Sequence, residues 1–299
     1  NKDITVEEYN DFYKGITCDW DEPLYYKHFK VEGQIDFTSI IYLGKRPPFD
    51  LFENKKLSNM KLYVKRVFIS DDCDELIPSW LNFVKGIVDS EDLPLNISRE
   101  VLQQNRIIRV IKKNITKKCI EMFEEIMDNS SISETFYDNF SKHIKLGVHE
   151  DKNNRERLAH LLRYKTNKSG EELISFRDYI TRMKDEQKDI YYITGEMNSN
   201  LPFIETLTKR GFEVLFMSDP IDEYIMENLN NIDDKMFVCV TKNNFELPLT
   251  DYEKGRIEQI KKEYEPVCTK IKEILGGYTC ENVVISRRLI DSPCCIITS

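Results

Sequence analysis

Apolar residues recur along this chain with two different periods, and the changes of period mark out its elements. Thr5 to Tyr13 (TVEEYNDFY) reads as a short helix, with Thr5 as N-cap and Glu8 three residues later in a capping-box pattern. Val31 to Leu43 alternates apolar and polar positions and then turns apolar, which predicts a strand or one arm of a hairpin. Arg46-Pro47-Pro48 breaks it. Lys61 to Ser70 (KLYVKRVFIS) is rich in β-branched and aromatic residues and reads as a second strand. Pro78 to Val88 sets Trp80, Phe83, Val84 and Ile87 at helical spacing, so a helix with Trp80 in the core is expected.

After the Leu93-Pro94-Leu95-Asn96 turn, Val101, Ile108, Ile111, Ile115, Met122 and Ile126 mark one face of a long helix over 99–127. Strands followed by helices in this order predict a layered α/β domain. A helical stretch follows near 132–163, ending in the basic segment Arg155 to Arg163. From Asp189 the pattern changes. Ile190 to Thr194 reads as a strand, 201–210 as a helix closed by Gly211, and Phe212 to Met217 as a strand. A helix from Pro220 to Leu229 and a strand from Met236 to Thr241 complete the run. This β-α-β-α-β order predicts a small parallel sheet with right-handed crossovers. Residues 242–252 are polar and read as an exposed connection. Ile257, Ile260, Tyr264, Val267, Ile271 and Ile274 then form one face of a further helix, interrupted near Pro266 and ended by Gly276-Gly277.

The chain has 299 residues, room for two or more ordinary domains. Its net charge of −9 makes it as a whole a poor binder of nucleic acid or anionic membrane. No uncharged apolar run approaches the ~18 residues of a membrane span. Asn1 is not an initiator methionine, and Cys294 to Ser299 is a β-prone run with no partner strand after it, so both ends read as cuts within a longer chain. Cys18, Cys73, Cys119, Cys239, Cys268, Cys280, Cys294 and Cys295 form no C-x-x-C pair, and the four histidines form no metal-binding cluster. Scattered thiols suit a reducing compartment, and no metal site is expected.

The phosphate-binding glycine motifs are absent, and so is a nucleophile elbow. Thr194-Gly195-Glu196-Met197-Asn198 follows a strand but reads as a plain turn. One position is odd. Ser98 is a natural N-cap, which makes Arg99 the first residue of the long helix, where its charge opposes the helix dipole. Gln103 lies four residues on, on the same face. An arginine, free backbone N–H groups and an amide together make an anion site, phosphate included; the plain alternative is a solvated arginine.

At these residues the sequence resembles a known family. Leu93-Pro-Leu-Asn-Ile-Ser-Arg-Glu100 with Val101-Leu-Gln-Gln-Asn105 is similar to a signature of the ninety-kilodalton heat-shock chaperones. So are Lys61 to Ile69, Trp80 to Gly86, Ile144 to Asp151, Tyr191 to Glu196, Asp219 to Tyr224 and Ser292 to Cys295. The resemblance covers nearly the whole chain and is closer to cytosolic members, so a cytoplasmic protein is expected. It implies a homodimer of three segments, of which this chain is the middle one and the start of the C-terminal one. ATP with Mg would be bound by an N-terminal segment, and this chain alone would neither bind nor hydrolyse it. The arginine matching Arg99 reaches the γ-phosphate on closure, and the glutamine matching Gln103 assists. The phenylalanine matching Phe68 belongs to an apolar patch that meets the N-terminal segment. Two arginines usually precede it; here they are Lys65 and Arg66, and lysine keeps the charge but loses the bidentate fork.

The resulting expectation is α/β throughout: a larger three-layer sandwich at 1–128, linking helices at 129–163, a smaller α/β domain at 164–243, and the start of an α+β C-terminal dimerisation domain at 244–299. Its partners would be client proteins, co-chaperones including an ATPase activator, and the protein's own N-terminal segment. A non-catalytic scaffold for clients and co-chaperones is the alternative. A free-standing nucleotide enzyme is disfavoured by the missing phosphate loop.

Overall fold

The computed structural model describes residues 4–17, 19–47, 60–71, 73–94, 106–195, 202–242, 245, 251–276 and 280–295. They form a mixed α/β structure in two compact units, residues 1–162 and 163–299.

The first unit is built on a five-stranded sheet in the order β1-β2-β5-β3-β4. Its strands are β1 (Tyr25–Val31), β2 (Phe37–Leu43), β3 (Met60–Val64), β4 (Val67–Ser70) and β5 (Val84–Ser90). All neighbours are antiparallel except β3 and β5. Helix α1 (Val6–Thr17) starts with the expected capping box: Thr5 N–H donates to Glu8 Oε2 at 2.8 Å and Glu8 N–H to Thr5 Oγ1 at 3.3 Å. On β1, Tyr26 stacks on Tyr9 of α1 at 4.4 Å, while Lys27 meets Glu125 of α2 (Arg106–Met127) at 2.6 Å. Successive strand residues point to opposite faces, so the sheet carries α1 on one side and α2 on the other.

Beneath α2, the helix α3 (Ser133–Glu150) and the short α4 (Arg155–Ala159) complete the core. Phe83 stacks on Phe123 at 5.8 Å and on Phe140 at 4.9 Å. Trp80 is fully buried, as expected, and lies against Gly147 of α3, where an added Cβ would come within 2.8 Å of its ring. The buried stripe Ile108, Ile111, Ile115, Cys119, Met122 and Ile126 realises the helical period read from the sequence. Each such side chain stabilises the fold by roughly 1.5–3 kcal/mol.

Several elements differ from expectation. Of the two readings of Val31 to Leu43 the hairpin arm holds, but it is shorter: β1 ends at Val31, and β2 pairs back on it from Phe37. Lys61 to Ser70 is a hairpin, β3 and β4, joined at Lys65–Arg66. Pro78 to Val88 is not a helix. Ser79–Leu81 makes one 3₁₀ turn and β5 follows. The buried positions of β5 are Val84, Gly86, Val88 and Ser90, so its alternation passes through a glycine and a serine and stays invisible in an apolar pattern. Gly86 is there because β2 crosses so close that a Cβ would lie 2.4 Å from the Ile40 carbonyl oxygen.

The second unit has a six-stranded sheet in the order β10-β11-β8-β9-β6-β7. Its strands are β6 (Arg163–Thr166), β7 (Ile174–Ser175), β8 (Ile190–Thr194), β9 (Leu215–Met217), β10 (Asn231–Ile232) and β11 (Lys235–Cys239). The pairs β11–β8 and β8–β9 are parallel, as the β-α-β-α-β order predicts, while β6, β7 and β10 add antiparallel edges. Helices α5 (Phe176–Arg182) and α7 (Pro220–Asn228) carry capping boxes, Ser175 with Asp178 and Asp219 with Asp222. Between them α6 (Glu205–Lys209) is closed by Gly211 at φ +71°. Most of the expected connection 242–252 lies outside the described residues. Helix α8 (Asp251–Leu275) runs through Pro266 without interruption. Tyr264, Val267, Ile271 and Ile274 on its apolar face are exposed.

Candidate functional site

Arg99 and Gln103 fall within 95–105 and lie outside the described residues. The chain is placed on both sides of them: β5 ends at Ser90, Leu93 is buried, and α2 begins at Arg106. Arg66 and Phe68 are described, on the β3–β4 hairpin. Its turn is tied to the end of β5, because Lys65 N–H donates to Ser90 O at 3.0 Å and Arg66 N–H to Asp89 Oδ1 at 3.1 Å. The cationic turn therefore sits beside the strand end from which the chain runs on toward Arg99.

Lys65 and Arg66 both adopt positive φ, 49° and 67°, as a two-residue hairpin turn requires for its twist to match the strands. Neither is glycine, asparagine or aspartate, so the turn carries strain of about 1–2 kcal/mol per residue, partly offset by the two bonds to β5. Beyond the turn, Val67 is exposed and Phe68 is 52% exposed, its ring edge-on to Tyr63 at 5.5 Å. Two exposed apolar residues beside two exposed cations have the composition of a docking patch.

A second outward-facing residue was not singled out from the sequence. Trp20 follows α1 and is 96% exposed. Its neighbour Asp19 is anchored, accepting the Tyr13 hydroxyl at 2.7 Å and the Lys85 ammonium at 2.9 Å, while its own N–H donates to Thr17 Oγ1 at 3.2 Å. Burial by itself would raise the Asp19 carboxyl, but the Tyr13 and Lys85 bonds outweigh it and hold it below its ordinary range. The indole is thus presented from a fixed corner. The signal was available in Asp19-Trp20-Asp21-Glu22, an aromatic residue between acids that no apolar period can bury.

The sequence model of the family described as Hsp90 protein matches residues 1–299. The chain belongs to the Hsp90 family. It is 53% identical over 302 aligned positions to heat shock protein 83 of Leishmania donovani, covering all of this chain and 67% of that protein. It is 40% identical over 303 positions to the chaperone protein HtpG of Bordetella pertussis, covering 99% of this chain but 48% of HtpG. This Hsp90-family chain thus spans about half the length of the bacterial relative. Among solved structures it is similar to the middle domain of a heat shock protein of Plasmodium falciparum, with TM-score 0.72 and 38% identity, covering 81% of this chain and 97% of that domain. The α/β architecture expected from the sequence agrees with this neighbour. The described residues contain the middle domain of an Hsp90-family chaperone. Among them no helix is long and apolar enough to cross a membrane.

Proposed function

We propose that this Hsp90-family chain works as the middle segment of an ATP-driven, homodimeric, cytoplasmic chaperone, holding client proteins and co-chaperones while completing the ATPase site of an N-terminal segment. The observation that carries this reading is the Lys65–Phe68 hairpin, an exposed apolar and cationic patch fastened to the strand end that leads toward Arg99. On this reading Val67 and Phe68 seat the N-terminal segment. Arg99, assisted by Gln103, then contributes a guanidinium and a carboxamide to the γ-phosphate of bound ATP. An arginine offers five donors and no lone pair for a metal ion, so Arg99 fits the phosphate and not Mg. The nucleotide supplies the phosphoryl group to be transferred; the chain's own part is to place positive charge where negative charge develops.

The test is ATP turnover of the full-length protein carrying Arg99→Ala. A group that reaches the γ-phosphate only on closure stabilises the transition state more than the ground state. Turnover should therefore fall severely while ATP affinity holds. Arginines in comparable roles are worth roughly 10³–10⁵ in rate, and a smaller loss is expected where closure limits the cycle. Arg109→Ala is the control, since Arg109 is exposed on α2 and lies ten residues on from Arg99. Unchanged turnover in Arg99→Ala, or an equal loss in both variants, overturns the catalytic role. The 96% exposure of Trp20 favours a second reading, a binding scaffold that takes no part in catalysis, and that is the reading left standing by such a result.

A further inference from the structure

One carboxylate holds the segment that follows α8 against the second unit. Glu205 opens α6, and its Oε2 accepts the backbone N–H groups of Ile290 at 2.6 Å, Asp291 at 3.0 Å and Ser292 at 3.3 Å. Its Oε1 accepts the Ser292 hydroxyl. Thr206 adds two bonds, its N–H to Arg288 O at 3.2 Å and its hydroxyl to Arg287 O at 2.6 Å. Arg288 lies over the Phe245 ring at 5.3 Å and donates to the carbonyls of Lys242 at 2.6 Å and Phe245 at 3.0 Å. The Ser292 hydroxyl, followed by the backbone amides, draws the Glu205 carboxyl down to about 2, so the catch stays charged at any ordinary pH. Acid does not operate it.

Chemistry at Ser292 can. Ser292-Pro293 is a serine–proline dipeptide in a run, 280–295, in which the described residues form no helix or strand. Asp291, Pro293 and Cys294 around it are exposed and Ser292 is half-buried. An irregular surface segment with proline directly after the serine is the shape a proline-directed kinase accepts. We propose that Ser292 is a phosphorylation site for a proline-directed, nucleoside-triphosphate-dependent kinase, and that the phosphate releases residues 287–292 from α6. In the transfer, Ser292 Oγ bonds to the γ-phosphorus as the bond from that phosphorus to the nucleoside diphosphate breaks, and the hydroxyl proton passes to the kinase's carboxylate base. The Ser292 donor is thereby replaced by an ester oxygen. About −1.5 to −2 of charge arrives beside Glu205, an ionised carboxylate that can only accept. Two acceptors of like charge then stand where a donor met an acceptor. Release changes how the chain beyond α8 is held to this unit.

The experiment incubates the full chain with a purified proline-directed serine/threonine kinase and ATP, maps the phosphate by mass spectrometry, and follows amide hydrogen exchange. Phosphate is expected on Ser292 and lost in Ser292→Ala. Phosphorylation should speed exchange of the amides at 287–292 and 205–208 about ten- to hundredfold, the change brought by losing a charge-assisted hydrogen bond. Glu205→Gln should speed the same amides without kinase and raise the rate of phosphorylation. No phosphate on Ser292 even in Glu205→Gln, where the catch is already loosened, overturns the site. Phosphate on Ser292 with unchanged exchange overturns the release.

Discussion

The first unit buries His143 among phenylalanines with no hydrogen bond to either ring nitrogen, whereas the second buries the Tyr179 hydroxyl at the centre of three. His143 is 1% exposed and lies 4.5 Å from Phe83, edge to face. Desolvation pushes its pKa down to about 4, and no charged partner opposes it. Tyr179 donates to Glu213 O at 2.6 Å and accepts from Gln187 Nε2 at 2.9 Å and Tyr191 N–H at 3.0 Å, joining α5, β8 and the approach to β9. Nearby, Thr166 donates to Glu213 at 2.7 Å and Tyr164 to Asp222 at 2.9 Å. One unit therefore relies here on aromatic packing that a proton can spoil, and the other on a buried hydroxyl that ties three groups together.

Close packing gives the largest contrast. Gly86→Ala in the first unit would drive a Cβ to 2.4 Å from backbone, so β2 and β5 must part. A loss of about 3 kcal/mol or more is expected in urea unfolding. Gly170→Ala in the second unit meets open space and costs only its φ of +61°, about 1–2 kcal/mol. Equal losses would remove the close-approach account of Gly86.

Acid should separate the units almost as sharply. The His143 pKa is lowered on folding, so between its ordinary value near 6.5 and about 4 the unfolded chain takes up a proton that the folded chain refuses. Stability of the first unit is full above pH 6.5, falls as pH drops to about 4, and then levels. The loss amounts to roughly 3 kcal/mol from this group. Urea midpoints at pH 7.5 and 4.5 should differ for the native chain and differ less for His143→Leu. A variant with the same pH slope would show that other groups carry it.

Tyr179→Phe should cost the second unit about 2 kcal/mol, because two donors and an acceptor lose their partner inside the protein. Burial raises the Tyr179 phenol above its ordinary value, so this loss should be the same at both pH values. A pH-dependent loss would blur the contrast between the units. The smallest stability effect is expected for Trp20→Ala, within about 0.5 kcal/mol, since the indole is almost wholly in solvent. If Trp20 serves binding, the same variant should capture an unfolded model client from solution more weakly. Unchanged capture would make its exposure incidental.

Parts of this were legible in the residues alone. The Thr5–Glu8 capping box, the apolar stripe of α2 and the strand–helix alternation of 190–241 all came through, because each is encoded within a few turns of chain. Arg99, read as a cation against a helix dipole, lies outside the described residues, while Phe68 and Arg66 drew notice through family resemblance. Nothing local marks Lys65-Arg66 as a turn, since lysine and arginine rarely adopt positive φ.

What the sequence by itself determined, then, is a part of what short-range forces decide: the capped start of α1, the apolar stripe of α2, and the parallel order of β8, β9 and β11. Tertiary structure alone decided that 84–90 is a strand, because its evidence is Gly86 lying against Ile40, residues far apart in the chain. It alone decided that Asp89 and Ser90 hold the Lys65–Arg66 turn, which fastens the β3–β4 hairpin to the end of β5. Backbone groups pair with whatever strand arrives, and which strand arrives depends on how the whole sheet buries its faces.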